Sequence, residues 1–436
     1  MRNYLKVFYY IRSMMGHARW DHERLIDHQN KNLRKIIENA YDNVPFYHQK
    51  FKSIGAKPSD IRTVKDLRML PVVRKNEIRE NLDKIVSSKY EKNDLRILET
   101  SGSTGTPLHV FISKSEDDYR KAKHLIANIF CGQKPRDRYV TITSPSHFGA
   151  VPKLLKVTRI YDRTFVSVLD DVNTQILKIE EAKPNVLAGY SSSLLLLAKE
   201  VEKRGTKTIT PRFILGGAEL IDEISRRYVG EVFNAPFYDQ YAIVELDRIA
   251  WQCTARLQYH IDADSVVMQF LDENGKEVAL GERGEIVCTS LFNYAMPFIR
   301  YAVGDIGIPS DDECQCGLTL PLMKMIEGRK DSLLVLPDGR LLSPRIFTVA
   351  INMFKSIRDI DQFRVIQKRK DLLEIHVKKK NSVDEKTMRT ELLSHLGKML
   401  DVKQDEVTFE IVFDSDIPLD KTGKFSAVVS ELKKSS

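Results

Sequence analysis

The chain has 436 residues, 42% of them hydrophobic and 29% charged, with a formal net charge of +8. Those proportions fit a globular protein of two or three domains and exclude a disordered chain, and no apolar run is long enough for a transmembrane segment. Lysine and arginine (68) are interleaved with aspartate and glutamate (60), with KKK at 378–380 as a short run. A solvated surface explains this better than nucleic-acid binding does.

The first segment, MRNYLKVFYYIRSMM, starts like a secretory signal, but Lys6 and Arg12 interrupt it and no small-residue cleavage site follows. It reads as an amphipathic helix of a cytoplasmic protein, with peripheral contact at a membrane surface as a further reading. In DHERLIDHQNKNLRKIIENAYDNVP, helical periodicity puts Leu25, Leu33, Ile36 and Ile37 on one face, and Pro45 ends the run. Short helical pieces follow, punctuated by Pro58 and Pro71. Residues 1–90 are therefore expected to form the helical N-terminal part of a large domain, without concentrated chemistry.

Residues 99–108 read ETSGSTGTPL. Gly102 and Gly105 let successive amides turn towards one point, and Thr100, Ser101, Ser103, Thr104 and Thr106 add hydroxyl donors, a combination suited to polyphosphate. Neither Gly-x-x-x-x-Gly-Lys-Ser/Thr nor Gly-x-Gly-x-x-Gly occurs in the chain. Taken alone, the stretch is more often an ordinary surface turn.

Next come a strand-like HVFIS and a helix pattern opened by Ser113 with early acidic residues. RYVTIT is expected to be a buried strand breaking at Ser144-Pro145. PNVLAGYSSSLLLLAKEVEKRG reads as a strand, a polar turn and an apolar helix, and TPRFILGGAEL as a strand ending in glycines. Alternating strands and helices predict an α/β core with a partly parallel sheet, ligands lying at the carboxyl ends of its strands. Within the 91–330 core, VVMQFLDENGKEV and GERGEIVCTSL predict a hairpin with Asn274-Gly275 at the turn. From Asp331 to the C-terminus, a strand pair, a helix and a strand predict a small α+β domain.

Five cysteines in a long, unsecreted chain argue against a disulfide framework. Cys253 and His260, followed later by Cys314 and Cys316, make a three-thiolate, one-imidazole set of the structural zinc type, with no open position for catalysis. Cys131 and Cys288 lie in apolar runs and read as core residues.

With TSGSTGTP, five further stretches follow in order: GGAEL at 216–220, YDQYAIVE at 238–245, RYAVGD at 300–305, EGRKD at 327–331 and PLDKTGK at 418–424. From about residue 95 onward the series resembles the adenylate-forming acyl-CoA synthetase superfamily, in particular the phenylacetate–coenzyme A ligase family and its CapK-like branch of capsular polysaccharide biosynthesis. The resemblance implies a large N-terminal domain with mixed β-sheets and helices and a small mobile C-terminal lid, 331–436, hinged at Asp331. It implies adenylation of a small carboxylic acid by ATP with Mg²⁺, then acyl transfer to coenzyme A.

By resemblance, Lys424 is the catalytic lysine and Glu245 the acidic residue near Mg²⁺. Thr100, Ser101, Gly102, Ser103, Thr104 and Gly105 cradle phosphate. Gly216, Gly217, Ala218 and Glu219 lie against adenine, and Tyr241 stacks on it. Asp305 accepts from the ribose hydroxyls, and Arg329 lies at the ribose and phosphate. His147 and Tyr238 fall beside the acyl pocket. A Cys/His set like the one here recurs in CapK-like sequences.

The chain also departs from the pattern. Ala242 and Val244 replace a glycine and a hydroxyl residue, Ala302-Val303 replace Arg-Thr, and Thr106 stands where many relatives carry lysine. Loss of one charge-assisted hydrogen bond at Val244 costs on the order of 1.5–3 kcal/mol. Two alternatives stay open: an amide- or ester-forming ligase acting on a sugar or glycan precursor through an amine or hydroxyl acceptor, and a non-catalytic nucleotide-binding member. Homodimer formation is left open, and nucleic acid is not an expected partner.

Overall fold

The computed structural model describes residues 4–100, 107–148, 160–255, 258–329, 333–380, 383–400, 406–418 and 425–432. Its strands in chain order begin with β1 (Arg96–Glu99), β2 (His109–Ile112), β3 (Tyr139–Thr143), β4 (Arg163–Ser167), β5 (Val186–Tyr190) and β6 (Phe213–Gly217). There follow β7 (Phe237–Ile243), β8 (Asp247–Gln252), β9 (Tyr259–Ile261), β10 (Val266–Leu271), β11 (Gly284–Ser290), β12 (Tyr301–Ser310) and β13 (Leu322–Arg329). The last are β14 (Leu334–Val335), β15 (Leu341–Leu342), β16 (Ile360–Arg369), β17 (Leu372–Lys379), β18 (Thr408–Phe413) and β19 (Val428–Ser430). The chain divides into two compact units, Met1–Gln133 with Tyr238–Ile326, and Lys134–Phe237 with Glu327–Ser436.

In the first unit, the His22–Asn43 helix opens on Asp21, whose side chain accepts the Arg24 amide. It buries Leu25, Leu33, Ile36 and Ile37, as the period predicts. β1 and β2 pair antiparallel with Glu99 opposite His109, so the glycine-rich stretch connects a hairpin. Ser113 and Glu116 form a capping box on the Lys114–Phe130 helix. The remaining strands run in the spatial order β10-β11-β12-β13-β9-β8-β7. β10 and β11 pair as expected, Val266 opposite Ser290. Asn274-Gly275 does not join them directly, however. Gly275, at φ 75°, closes a tight turn by donating to the Asp272 carbonyl, and the chain loops on through Gly281 before β11 begins. Cys131 and Cys288 are buried core residues, as read from the sequence.

Besides the short antiparallel pair β14–β15, the described residues of the second unit hold two sheets. β4, β3, β5 and β6 are parallel neighbours, with the Val172–Ala182, Ser191–Arg204 and Glu223–Phe233 helices as connections or flanks. β3 stops at Thr143, before Ser144-Pro145, as expected. Ser191-Ser192-Ser193 do not form a separate turn, because the helix starts directly at the end of β5. Tyr190 at its N-cap makes no side-chain cap, and Glu219 supplies the missing acceptor by binding the Ser192 amide at 2.9 Å. The other sheet has the order β18-β17-β16-β19, with β16 and β17 antiparallel and both outer pairings parallel. The Glu385–Leu400 helix buries Met388, Leu392, Leu396 and Leu400 in that sheet's hydrophobic cluster. The Pro344–Asn352 helix and β19 are additions to the elements expected from sequence.

Candidate nucleotide and metal sites

In the first unit, Thr100 pinches the base of the glycine-rich connection: its amide donates to the Leu108 carbonyl and its Oγ1 accepts the Leu108 amide at 2.8 Å. Thr100 is buried and closes the loop through its own backbone and side chain. Ser101, Gly102, Ser103, Thr104 and Gly105 lie outside the described residues.

Tyr241 and Asp305 come together. The phenol hydroxyl donates to Asp305 Oδ2 at 2.5 Å, fixing both the ring and the carboxylate and joining the two motifs that carry them. β7 bulges between Tyr241 and Ala242, and Asp247 takes a left-handed φ of 61° as the chain turns into β8. The connection between these points is tied down by its carbonyls. Arg120 donates to Val244 O, Asn293 to Glu245 O and Lys123 to Leu246 O, at 2.8, 3.2 and 3.2 Å. A backbone held this way does not depend on the glycine and hydroxyl residue that the sequence lacks here. The buried carboxylate of Glu245 accepts Tyr301 Oη at 2.8 Å and pairs with Lys75 Nζ at 3.2 Å, both through Oε1. Lys75 and Tyr301 were not singled out by sequence reasoning. Lys75 sits in a stretch that reads as plain scaffold, and Tyr301 in a motif noted for its aspartate. Tyr238 is buried in the same unit.

The Cys/His set also assembles. The ligating atoms of Cys253, His260, Cys314 and Cys316 lie within 4.8 Å of one another. Cys253 Sγ is 3.4 Å from Cys314 Sγ, and Cys316 Sγ is 3.3 Å from His260 Nε2. A tetrahedral zinc ion with bonds near 2.0–2.3 Å needs ligand atoms about 3.5–3.8 Å apart, so the set fits that ion with small adjustments. Gly317, at φ 77°, makes the turn after the Cys-x-Cys knuckle. Burial lowers the imidazole pKa of His260 to about 4, against a smaller opposite pull from the Leu320 backbone, and burial raises the Cys316 thiol to about 12. The neutral imidazole is the form that binds metal, and a cation would reverse the thiol shift.

In the second unit, β6 ends at Gly216-Gly217, and Ala218 takes a left-handed φ of 65°. Positive φ at a residue with a side chain is uncommon and concentrates at functional sites. The face of Gly216 towards which a Cβ would point is filled by the Phe237 ring. Close packing within the unit thus explains this glycine directly. Glu219 accepts two amides with its two oxygens: Ser192 N on Oε2, and Phe425 N on Oε1 at 2.6 Å. Phe425 immediately follows Lys424, which itself lies outside the described residues, as does Asp331. For Arg329 only the backbone, at the end of β13, is described. His147 is exposed in a single helical turn, its Nδ1 3.2 Å from Tyr190 Oη and 3.4 Å from Thr143 Oγ1.

No family model matches the chain. It is 24% identical over 381 residues to a phenylacetate-coenzyme A ligase of Pseudomonas putida, covering 85% of this chain and 82% of that protein. Against the ligase of the same name from Thermus thermophilus it is 26% identical, covering 72% of each. It is 22% identical over 426 residues to the CapK protein of Staphylococcus aureus, covering 94% and 90%. Among solved structures, a 2-hydroxyisobutyryl-CoA ligase in complex with R3-HIB-AMP superposes with a TM-score of 0.81 at 19% identity, over 94% of this chain and 90% of that one. An anthranilate CoA ligase in complex with anthranoyl-AMP gives 0.58 at 15%, over 83% and 73%. The similarity therefore extends over most of the chain, and the mixed α/β fold is shared with these CoA ligases.

Proposed function

We propose that this chain is an ATP-dependent adenylate-forming ligase of the cytoplasm. It converts a small carboxylic acid to acyl-AMP with release of pyrophosphate, then passes the acyl group to coenzyme A. One observation carries the reading: the Glu219 carboxylate of GGAEL binds the amide next to Lys424, joining two motifs that lie far apart in sequence. The reaction needs little covalent help, and its catalysis is positioning plus stabilisation of developing negative charge. Lys424 is the cation for that charge. Asp305, held by Tyr241, takes the ribose, and the Tyr241 ring takes the base. The 101–105 amides and hydroxyls and Arg329 serve the phosphates, and His147 and Tyr238 border the acyl group. Residues 331–436 act as the lid, hinged at Asp331.

Magnesium, when bound, would neutralise phosphate charge, and Glu245 is the carboxylate suited to it. Lys75 and Tyr301 both engage Oε1, so the fit rests on Oε2 and on phosphate oxygens. Zinc at Cys253, His260, Cys314 and Cys316 would be structural.

A second reading keeps the adenylation step and sends the acyl group to an amine or hydroxyl of a sugar or glycan precursor. The similarity to CapK, which spans more of the chain than that to the ligases, favours keeping it. A third, nucleotide binding without turnover, draws on Val244. The deciding experiment is pyrophosphate release with ATP, Mg²⁺ and a panel of acids including aryl acetates and amino acids, with products resolved with and without coenzyme A. Release with a cognate acid, abolished in Lys424→Ala, is expected. A panel that elicits no Lys424-dependent release removes the enzyme reading, and tight ATP binding without release supports the third.

A further inference from the structure

We infer that Arg364 and Glu219 are positioning residues that together hold the arm carrying Lys424; the inference rests on the adenylation reading above. Arg364 lies on β16, one residue before Val365, whose amide donates to the Ala427 carbonyl and whose register partner on β19 is Val428. From there its guanidinium reaches both flanks of the 419–424 stretch. Nη2 donates to Pro418 O at 2.7 Å and Nε to Ser426 O at 3.1 Å, and the cation lies 4.9 Å from the centre of the Phe425 ring. One rigid, planar fork thus ties Pro418 to Ser426, the described residues on either side of the stretch whose sequence holds Asp420, Lys421 and Lys424. A lysine ammonium, as a single point donor, does not reproduce that span.

Glu219 supplies the complementary contact. Its Oε1 accepts the Phe425 amide at 2.6 Å, while Oε2 stays on Ser192 N at the start of the Ser191–Arg204 helix. The carboxylate is therefore anchored on one side to a helix N-terminus, where negative charge is favoured, and presents its other oxygen to the arm. Arg364 fixes Pro418 and Ser426 relative to each other, and Glu219 holds Phe425 between them. In this account Glu219 acts on the nucleotide reaction through Lys424, not by touching adenine.

The test uses the full-length protein. Hydrogen exchange of peptides covering residues 418–432 is followed in wild type, Arg364→Ala, Arg364→Lys, Glu219→Ala and Glu219→Gln. Pyrophosphate release is measured in parallel with the acid found by the panel screen. Both alanine variants should speed exchange in that segment about 10-fold or more and lower kcat about 10- to 100-fold, the range for a lost hydrogen bond to a charged group. The KM for ATP should stay within about threefold and the thermal midpoint close to wild type. Glu219→Gln, which keeps an acceptor oxygen, should recover part of the loss, and Arg364→Lys should resemble the alanine variant. Unchanged exchange in both alanine variants overturns the inference. So does a Glu219→Ala effect confined to the KM for ATP, or a loss that merely tracks global unfolding. If wild type releases no pyrophosphate with any acid, the catalytic reading fails, while exchange alone still decides whether the two residues hold the arm.

Discussion

Lys75 Nζ lies 3.2 Å from Oε1 of Glu245, the oxygen that also accepts the Tyr301 hydroxyl. The Glu245 side chain is 6% exposed and that of Lys75 25%, so the pair is desolvated mainly on the carboxylate side. Removing one partner of a buried pair costs ~3–5 kcal/mol because it strands the other charge. Lys75 keeps some water contact, which places Lys75→Ala at or below the low end. Tyr301→Phe removes one hydrogen bond to the same carboxylate, at about 1.5–3 kcal/mol. Urea unfolding of both single variants and the double should show a non-additive total, since they share one acceptor. Strict additivity would mean the two contacts are independent.

Tyr241 makes a separable prediction. Tyr241→Phe removes only the hydroxyl that donates to Asp305, so ATP affinity measured by calorimetry should fall only slightly. Tyr241→Ala also removes the ring, and a lost base-stacking contact is worth ~1–3 kcal/mol, or about 5- to 150-fold. Equal effects of the two variants would show that the hydroxyl is what matters and that the ring does not stack.

The cysteine and histidine set predicts about one equivalent of zinc per chain in purified protein by metal analysis. Cys314→Ser and Cys316→Ser should each release most of it and lower the unfolding midpoint, because a closed four-ligand site contributes directly to folding. A metal-free wild type, or serine variants with unchanged stability, would leave the set as reduced cysteines in a small pocket.

Lys199 carries a pH signature. Its ammonium donates to the carbonyls of Ile360 and Asp361, and burial lowers its pKa to about 8, with Asp361 pulling the other way. In the unfolded chain the value returns to its ordinary 10.5. Below pH 8 both states are charged. Between 8 and 10.5 the unfolded state holds more protons, so stability from this group rises with pH across that window. Buried tyrosines such as Tyr47, raised by burial, oppose this at the alkaline end. The difference in urea midpoint between wild type and Lys199→Met isolates the lysine. It should move in favour of wild type from pH 8 to 10, and a flat difference would refute the shift.

Much of the fold was legible in advance because local patterning and packing agree. The 3.6-residue period of Leu25, Leu33, Ile36 and Ile37 and the Ser113 cap each needed only neighbours in sequence, and the expected four-residue zinc set proved to be adjacent. The serine run after Tyr190 reads as a turn in sequence yet opens a helix, because the acceptor that lets a helix start there, Glu219, comes from just past the next strand. Asn274-Gly275 does turn the chain but does not by itself join β10 to β11, since the longer connection around it is not signalled by any residue chemistry.

The sequence by itself determined the candidate groups: a glycine- and hydroxyl-rich connection, a Gly-Lys motif at 423–424 and a thiol-imidazole set, each recognisable because its residue types are few and its spacing short. The tertiary structure decided the partners. Lys75 for Glu245, Arg120 for the 244–245 carbonyls, Phe237 above Gly216 and Arg364 for the Pro418 and Ser426 carbonyls are all long-range choices. Nothing in a lysine, arginine or phenylalanine marks it for such a role until folding desolvates the group opposite. A buried carboxylate or carbonyl then has to be met by whichever donor the packing brings within reach.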